Sequence, residues 1–308
     1  MNYLKRIIQE ICNENNIKYK LLSKDWVIML EKEGKTRFIS GYKFDLNPQG
    51  IGLIADDKYA LHEVLKEKEL PIIEYKIVYN KNNKLDYAAD CNTYEYVKDY
   101  FLKNNNHIVI KPNNGSCGHN VYNVTDINQI DEILDKLFVN NFSISICPFY
   151  DIKHEYRMIM LDGENKLSYA KYLPIVVGDG KKTIRELLLE FNNEYFKNKL
   201  QDVKYDRVLD NKEKFQYNWK FNLAQGSIAK KIEDESLSNE LTKIAKHVCD
   251  EINLKFGSID IIQTINNELY VMEVNSGVMI ENYIKLNPDE YLTIKNIYRS
   301  AIEKMFKE

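Results

Sequence analysis

The chain has 308 residues, 44% of them hydrophobic, enough for a packed core of two or three ordinary layers or lobes and too many for a disordered polymer. Its 43 Lys and Arg against 46 Asp and Glu give a formal net charge of -3, with both signs mixed along the chain, so neither nucleic acid nor an anionic membrane is expected as a main partner. Five cysteines (Cys12, Cys91, Cys117, Cys147, Cys249) are scattered without a CxxC pair, which reads as reduced thiols of a cytoplasmic protein. The amphipathic start MNYLKRIIQEICNENN lacks a signal-peptide core and no apolar run reaches a membrane-spanning length of about 18 residues, so neither secretion nor membrane insertion is expected.

In chain order, Leu4, Ile7, Ile8 and Ile11 share one face of a helix ending near residue 16, and short strands follow over residues 17–22, 26–31 and 36–40. Gly34-Lys35-Thr36 has the ending of a phosphate-binding Walker loop, but that motif needs a glycine where Met29 stands, so a hairpin turn is the better reading. The stretch GYKFDLNPQGIG, residues 41–52, reads as a linker. It leads to Asp56-Asp57-Lys58 and a helix over residues 59–68 capped by the aspartates. An apolar strand over 107–110 then delivers Lys111 to a loop rich in Gly, Asn and Ser through Gly118, with a second strand over 121–124. A lysine at a strand end beside many free backbone N–H groups holds a polyphosphate well, although a Gly-rich hairpin taken alone is more often only a hairpin. Gly178-Asp179-Gly180 is not a dinucleotide fingerprint, since Thr183 stands where a third glycine is required.

Residues 191–220 read as a helix followed by an irregular polar excursion, long enough to shape an acceptor site. Next comes FGSIDIIQTINNELYVMEVN, residues 256–275, two strands joined by Asn266-Asn267-Glu268. Such a hairpin sets Asp260 beside Glu273, with Asn275 two residues on and on the same face as Glu273. Two carboxylates and an amide oxygen make a hard, all-oxygen cation site; magnesium uses one or two carboxylates and completes its octahedron with phosphate oxygens and water. For an isolated acid pair in so charged a chain, a solvated strand face is the commoner explanation. A last helix is expected over residues 291–306.

Taken in order from about residue 56 to 283, these features resemble the ATP-grasp superfamily. Asp57-Lys58 is similar to its "DK" helix opening, and Lys111-Pro112 with the loop to Gly118 to its "VKP..GS.G" strand and lid. Ile146 to Tyr150 stands at its adenine hinge, Glu155-Tyr156-Arg157 resembles its "EYR" strand, and Asp260, Glu273 and Asn275 resemble its metal triad. Within the superfamily the resemblance is to carboxylate–amine ligases of the cyanophycin synthetase and glutathione synthetase type. It is carried by the Ala170 to Gly180 segment with Thr183-Ile184-Arg185-Glu186-Leu187, by Asn222-Leu223 with Gln225-Gly226-Ser227, and by Ser276-Gly277 after Asn275.

The resemblance implies an α+β ATP-grasp fold: a short N-terminal region over residues 1–55, then two α+β lobes clasping ATP, the lid lobe over about 94–149 and the C-terminal lobe over 150–308. The implied activity is ATP-dependent ligation of a carboxylate to an amine through an acylphosphate, with a small-molecule kinase or a non-catalytic nucleotide-binding regulator as the alternatives. The nucleotide contacts implied are Lys58, Lys111, Asn113, Gly115, Ser116, Gly118, Cys147, Phe149, Tyr150 and His154. Asp260, Glu273 and Asn275 would hold magnesium, two ions, with Mn2+ as a substitute. Lys171, Arg157, Asn222 and Gly226 would serve the transferring phosphate and the acyl group. The partners implied are a small-molecule acid and amine, amino acid or peptide, with self-association among relatives. Arg185, early in a helix, is equally a substrate ligand or a surface ion pair. Two departures stand out: Cys147-Pro148 occupies the hinge where many relatives have a glutamate, and Ser258 stands where some ligases carry an arginine. Cys117 and His119 in the lid are too few for a zinc site.

Overall fold

The computed structural model describes residues 2–80, 93–115 and 118–307. The chain forms two units, each from non-contiguous stretches: the first from Met1–Pro48, His154–Ser258 and Ser276–Glu308, the second from Gln49–Lys153 and Ile259–Asn275. Among the described residues no helix is long and apolar enough to cross a membrane.

The first unit opens with α1 (Asn2–Glu14) and a four-stranded antiparallel sheet, β1 (Lys18–Leu22), β2 (Val27–Lys32), β3 (Lys35–Ser40) and β4 (Lys43–Phe44), in that order. Lys32 pairs with Lys35, so only Glu33 and Gly34 turn the β2–β3 hairpin. Their φ values of 51° and 79° are both left-handed, as a two-residue turn that matches strand twist requires.

In the second unit, the last four residues of the expected linker, 49–52, instead open α2 (Gln49–Asp56), packed on α3 (Lys58–Glu67). Gly50 and Gly52 lower the intrinsic helix propensity, and tertiary packing of the apolar residues between and after them outweighs that deficit. Asp57 caps α3, accepting from the Ala60 N–H at 2.8 Å, as the sequence indicates. Strand β5 (Lys76–Tyr79), α4 (Tyr94–Lys103), β6 (Ile108–Pro112), β7 (Tyr122–Val124), α5 (Ile130–Phe138) and β8 (Ser143–Pro148) follow, the strands in antiparallel order β5-β8-β6-β7. Val97 and Phe101 of α4 and Leu134 and Leu137 of α5 share a core with Ile108, Ile110, Ile144 and Ile146. All five residues of β6 are buried, which fixes the strand that carries Lys111.

Back in the first unit, β9 (Ile152–Leu161) and β10 (Glu164–Tyr172) pair antiparallel. Then come β11 (Ile175–Val177), α6 (Ile184–Phe196), β12 (Lys214–Gln216) and β13 (Ile228–Lys230), with β11 paired to β12 and β13 to β10. Gly178-Asp179-Gly180 is a turn: the Asp179 side chain accepts from the N–H groups of Lys181 and Lys182 at 2.9 and 2.8 Å, and a Cβ on residue 178 would lie 2.1 Å from the Asp210 carbonyl. The stretch expected as an irregular excursion has its own small core of Leu188, Phe196, Leu200, Tyr205 and Leu209. Helix α7 (Glu235–Ile252) follows; β14 (Phe256–Thr264) then carries the chain into the second unit with its neighbour β15 (Leu269–Asn275), and α8 (Glu281–Leu286) and α9 (Tyr291–Lys307) end the chain in the first.

Candidate functional site

In the second unit, β14 and β15 are joined by a turn of the expected length, shifted one residue toward β14, over residues 265–267. The Asn267 N–H donates to the Thr264 carbonyl and the Thr264 N–H to the Glu268 carbonyl, both at 2.9 Å, while Asn267 takes φ 65°. That is a three-residue loop closed by one left-handed residue. Asp260 is buried on β14, whereas Glu273 and Asn275 are half-buried on β15. The side-chain nitrogen of Asn275 is buried with no hydrogen-bond partner. Among the described residues no group of three His, Cys, Asp or Glu side chains is placed to hold a metal. Asp260, Glu273 and Asn275 carry two carboxylates and one amide oxygen, donor types that suit a hard ion completing its shell with phosphate and water.

Lys58, the first residue of α3, is 5% exposed, and its ammonium lies 3.9 Å from Glu273 Oε1. It donates to the carbonyls of Asn113 and Gly115 at 3.2 and 2.7 Å. Burial holds its pKa below the ordinary lysine value; Glu273 opposes that shift and Lys111 adds to it. Lys111, at the end of β6, donates to the Tyr75 hydroxyl at 2.7 Å. Two lysines, one acidic strand end and the start of the glycine loop are thus brought together in one unit.

The loop residues divide by role. Asn113 is fully buried, and its side-chain oxygen accepts from the Tyr59 N–H at 3.1 Å and the Ser145 hydroxyl at 2.6 Å, so it braces the start of α3. Gly115 packs over Pro112, whose Cβ would lie 3.0 Å from an added Cβ. Gly118 takes φ 65°, a conformation that favours glycine. Ser116 and Cys117 lie outside the described residues. At the expected hinge, Cys147 faces Val109 across β8–β6, and burial pushes its thiol pKa up, with Lys111 pulling the other way. Phe149 stacks on His107, with centroids 3.8 Å apart, and the Tyr150 hydroxyl accepts from the Glu74 N–H at 3.2 Å.

In the first unit, Lys171 of β10 stands opposite Glu155 of β9, and the two buried side chains form an ion pair. Arg157 is half-buried opposite Tyr169, and the His154 ring meets Tyr172 edge-on at 5.1 Å. Asn222 accepts from the Ala224 N–H at 2.8 Å and starts a 3-10 turn, Leu223–Gln225, that ends at Gly226 with φ 102°. Arg185 donates to Asp206 at 2.7 Å and to the Leu200 carbonyl, contacts that tie α6 to the segment after it.

Sequence reasoning missed Tyr75, Ser145 and Asn192. Asn192 interrupts α6 at φ -155° and donates to the carbonyls of Gly226 and Ser227 at 3.1 and 3.3 Å. Its signal is an asparagine inside an apolar helical pattern, a residue type that prefers backbone partners to helix interiors. Tyr75 carries no local signal at all.

A RimK-like ATP-grasp domain model matches residues 205–294. The glutathione biosynthesis bifunctional protein GshAB of Streptococcus mutans is 27% identical over 188 residues, which is 60% of this chain and 22% of that protein. A bifunctional glutathione synthetase from Pasteurella multocida superposes with a TM-score of 0.54 at 16% identity, over 96% of this chain and 42% of its own. A RiPP-associated ATP-grasp ligase from Chryseobacterium gregarium, in complex with ADP and a leader and core peptide, gives a TM-score of 0.52 at 14% identity over 97% of this chain and 92% of its own. The chain spans under a quarter of the curated relative's length and under half of the glutathione synthetase.

Proposed function

We propose that this chain, which has the ATP-grasp fold, is an ATP-dependent carboxylate–amine ligase acting on small acids and amines of the amino acid or peptide class in the cytoplasm. The observation that carries the reading is the Lys58 ammonium 3.9 Å from Glu273, within the field of Lys111 and against the glycine loop. Buried cations beside a carboxylate and at the start of a glycine-rich loop suit a nucleotide polyphosphate with its metal.

In this reading Lys58, Lys111 and Lys171 balance phosphate charge, and the residue 113–118 loop covers the phosphates. Cys147, Phe149, Tyr150 and His154 flank the base and ribose, with Cys147-Pro148 leaving adenine to backbone groups. Asp260, Glu273 and Asn275 would hold magnesium, two ions with Mn2+ as a substitute, which would supply charge neutralisation to the polyphosphate. A substrate carboxylate oxygen attacks the γ-phosphorus, the bond to the β-bridging oxygen breaks, and ADP leaves. The amine lone pair then attacks the acylphosphate carbonyl, phosphate departs with the C–O bonding pair, and the nitrogen loses a proton to give the amide. No side-chain nucleophile takes part; positioning and charge stabilisation do the work. Arg157 and the Asn222 to Gly226 turn stabilise the oxyanion of the acyl transfer.

The test is phosphate release from magnesium ATP with pooled amino acids and dipeptides, with hydroxylamine present to trap an acylphosphate. Release that depends on the pool, yields hydroxamate, and falls about 100-fold or more in Glu273→Gln is expected. Pool-dependent turnover without hydroxamate would transfer the assignment to a kinase, and nucleotide binding without turnover in any pool would sink the ligase reading.

A further inference from the structure

Residues 71–75, between α3 and β5, run along the edge of β15. The Val271 N–H donates to the Pro71 carbonyl at 2.7 Å, the Ile73 N–H donates to the Val271 carbonyl at 3.1 Å, and Ile72 pairs with Val271 in parallel. That clip delivers Tyr75 into the interior with no exposed surface. Its hydroxyl donates to the Met272 carbonyl at 3.2 Å and accepts from the Lys111 ammonium at 2.7 Å. The same ammonium lies 4.7 Å from the Tyr75 ring centroid. Phenylalanine would fill this volume without bringing a hydroxyl that must find partners in a dry site. The partners found are the lysine that ends β6 and the residue next to Glu273.

We propose that Tyr75 is a positioning residue, whose hydroxyl ties the Lys111 ammonium to β15 and so fixes the cation that addresses the nucleotide phosphates relative to the strand bearing Glu273. The inference rests on the ligase reading for the role of Lys111. A lysine ammonium is a point charge on a flexible four-carbon stem, so its aim depends on what holds its end. The hydroxyl, 2.7 Å from the ammonium, sets its direction. Because the tie acts through Lys111, its effect must follow the phosphates and not the adenosine.

The experiment is calorimetric titration of the full chain with magnesium ADP and with adenosine, for the wild type, Tyr75→Phe, Lys111→Met and the double variant, with thermal melting alongside. Tyr75→Phe is expected to weaken ADP about tenfold, leave adenosine within about twofold, and add nothing in the Lys111→Met background, a coupling of about 1.4 kcal/mol. Equal weakening of ADP and adenosine, additivity of the two substitutions, or a Tyr75→Phe chain that no longer folds would each overturn the proposal in favour of a packing role. Unchanged ADP affinity in Tyr75→Phe, with the wild type binding normally, overturns this inference alone. A wild type that binds no ADP overturns the ligase reading and this inference with it.

Discussion

The side-chain oxygen of Asn113 accepts two hydrogen bonds inside a fully buried pocket, one from the second residue of α3 and one from Ser145 on β8. Its carbonyl accepts from both the backbone N–H and the ammonium of Lys58, at 3.3 and 3.2 Å. The residue therefore acts on Lys58 through the helix start. Replacing it with alanine removes the acceptor and strands a buried hydroxyl and a helix N–H. Each orphan costs about 1–3 kcal/mol, so Asn113→Ala is expected to lose about 2–6 kcal/mol of unfolding free energy in a urea titration. A loss under about 0.5 kcal/mol would show that water or a shifted Ser145 replaces the acceptor. Lys58 poses the complementary question: an ammonium held by two carbonyls must exchange them for phosphate oxygens before it serves the proposed reaction.

At the scale of elements, the kink in α6 and the turn after Asn222 form one construction. The Asn192 amide holds the carbonyls of Gly226 and Ser227, Asn218 donates to the Gln225 carbonyl at 2.6 Å, and a Cβ on residue 226 would lie 3.0 Å from the Phe196 ring. Asn192→Ala would leave two buried carbonyls without those donors and let α6 straighten. An unfolding loss of about 1–3 kcal/mol is expected. If the turn serves acyl transfer, kcat should also fall at least about tenfold while KM for ATP stays within about threefold, because only transition-state positioning is disturbed. Steady-state kinetics at saturating acid and amine decide it; matched changes in kcat and KM would restrict Asn192 to folding. Sequence reading placed the turn residues here from a resemblance, and periodicity placed α1, β1 to β3, α3 and β6, because apolar spacing survives in local sequence. The brace from Asn192 joins residues more than thirty positions apart, and no local pattern records it. For the same reason the first half of the helix over Gln49–Asp56 read as linker: its glycines are visible in the sequence, whereas the packing that offsets them is not.

For the whole molecule, the sequence suggests a small N-terminal region set before the rest, yet in the first unit its residues share one core with elements from both later stretches. Leu4, Ile7, Ile8 and Ile11 of α1, each at most 1% exposed, pack in a cluster with Ile159, Tyr169, Phe256, Ile284 and Tyr298. Glu281 of α8 accepts from the N–H groups of Tyr3 and Leu4, both at 3.2 Å, and so caps the first turn of α1 from the far end of the chain. Lys295 of α9 donates to Glu10 and Glu14 at 2.8 and 2.6 Å. A discontinuous unit of this kind is invisible to a reading that moves along the chain and draws boundaries where composition shifts. Truncating one buried large aliphatic side chain to alanine costs about 2–5 kcal/mol, and four such residues together, about 8–20 kcal/mol, match the roughly 5–15 kcal/mol that holds a typical domain folded. A variant lacking residues 2–16 is therefore expected to show no cooperative thermal transition. If α1 were only an appendage, the shortened chain would melt within a few degrees of the full one and keep its nucleotide affinity. Because the clasp between α1 and α9 is part of the same core as β9 and β10, its loss should abolish ordered packing around Lys171 and Glu155 as well. Loss of near-ultraviolet circular dichroism together with the melting transition would show that the N-terminal helix is part of the scaffold that holds the candidate site.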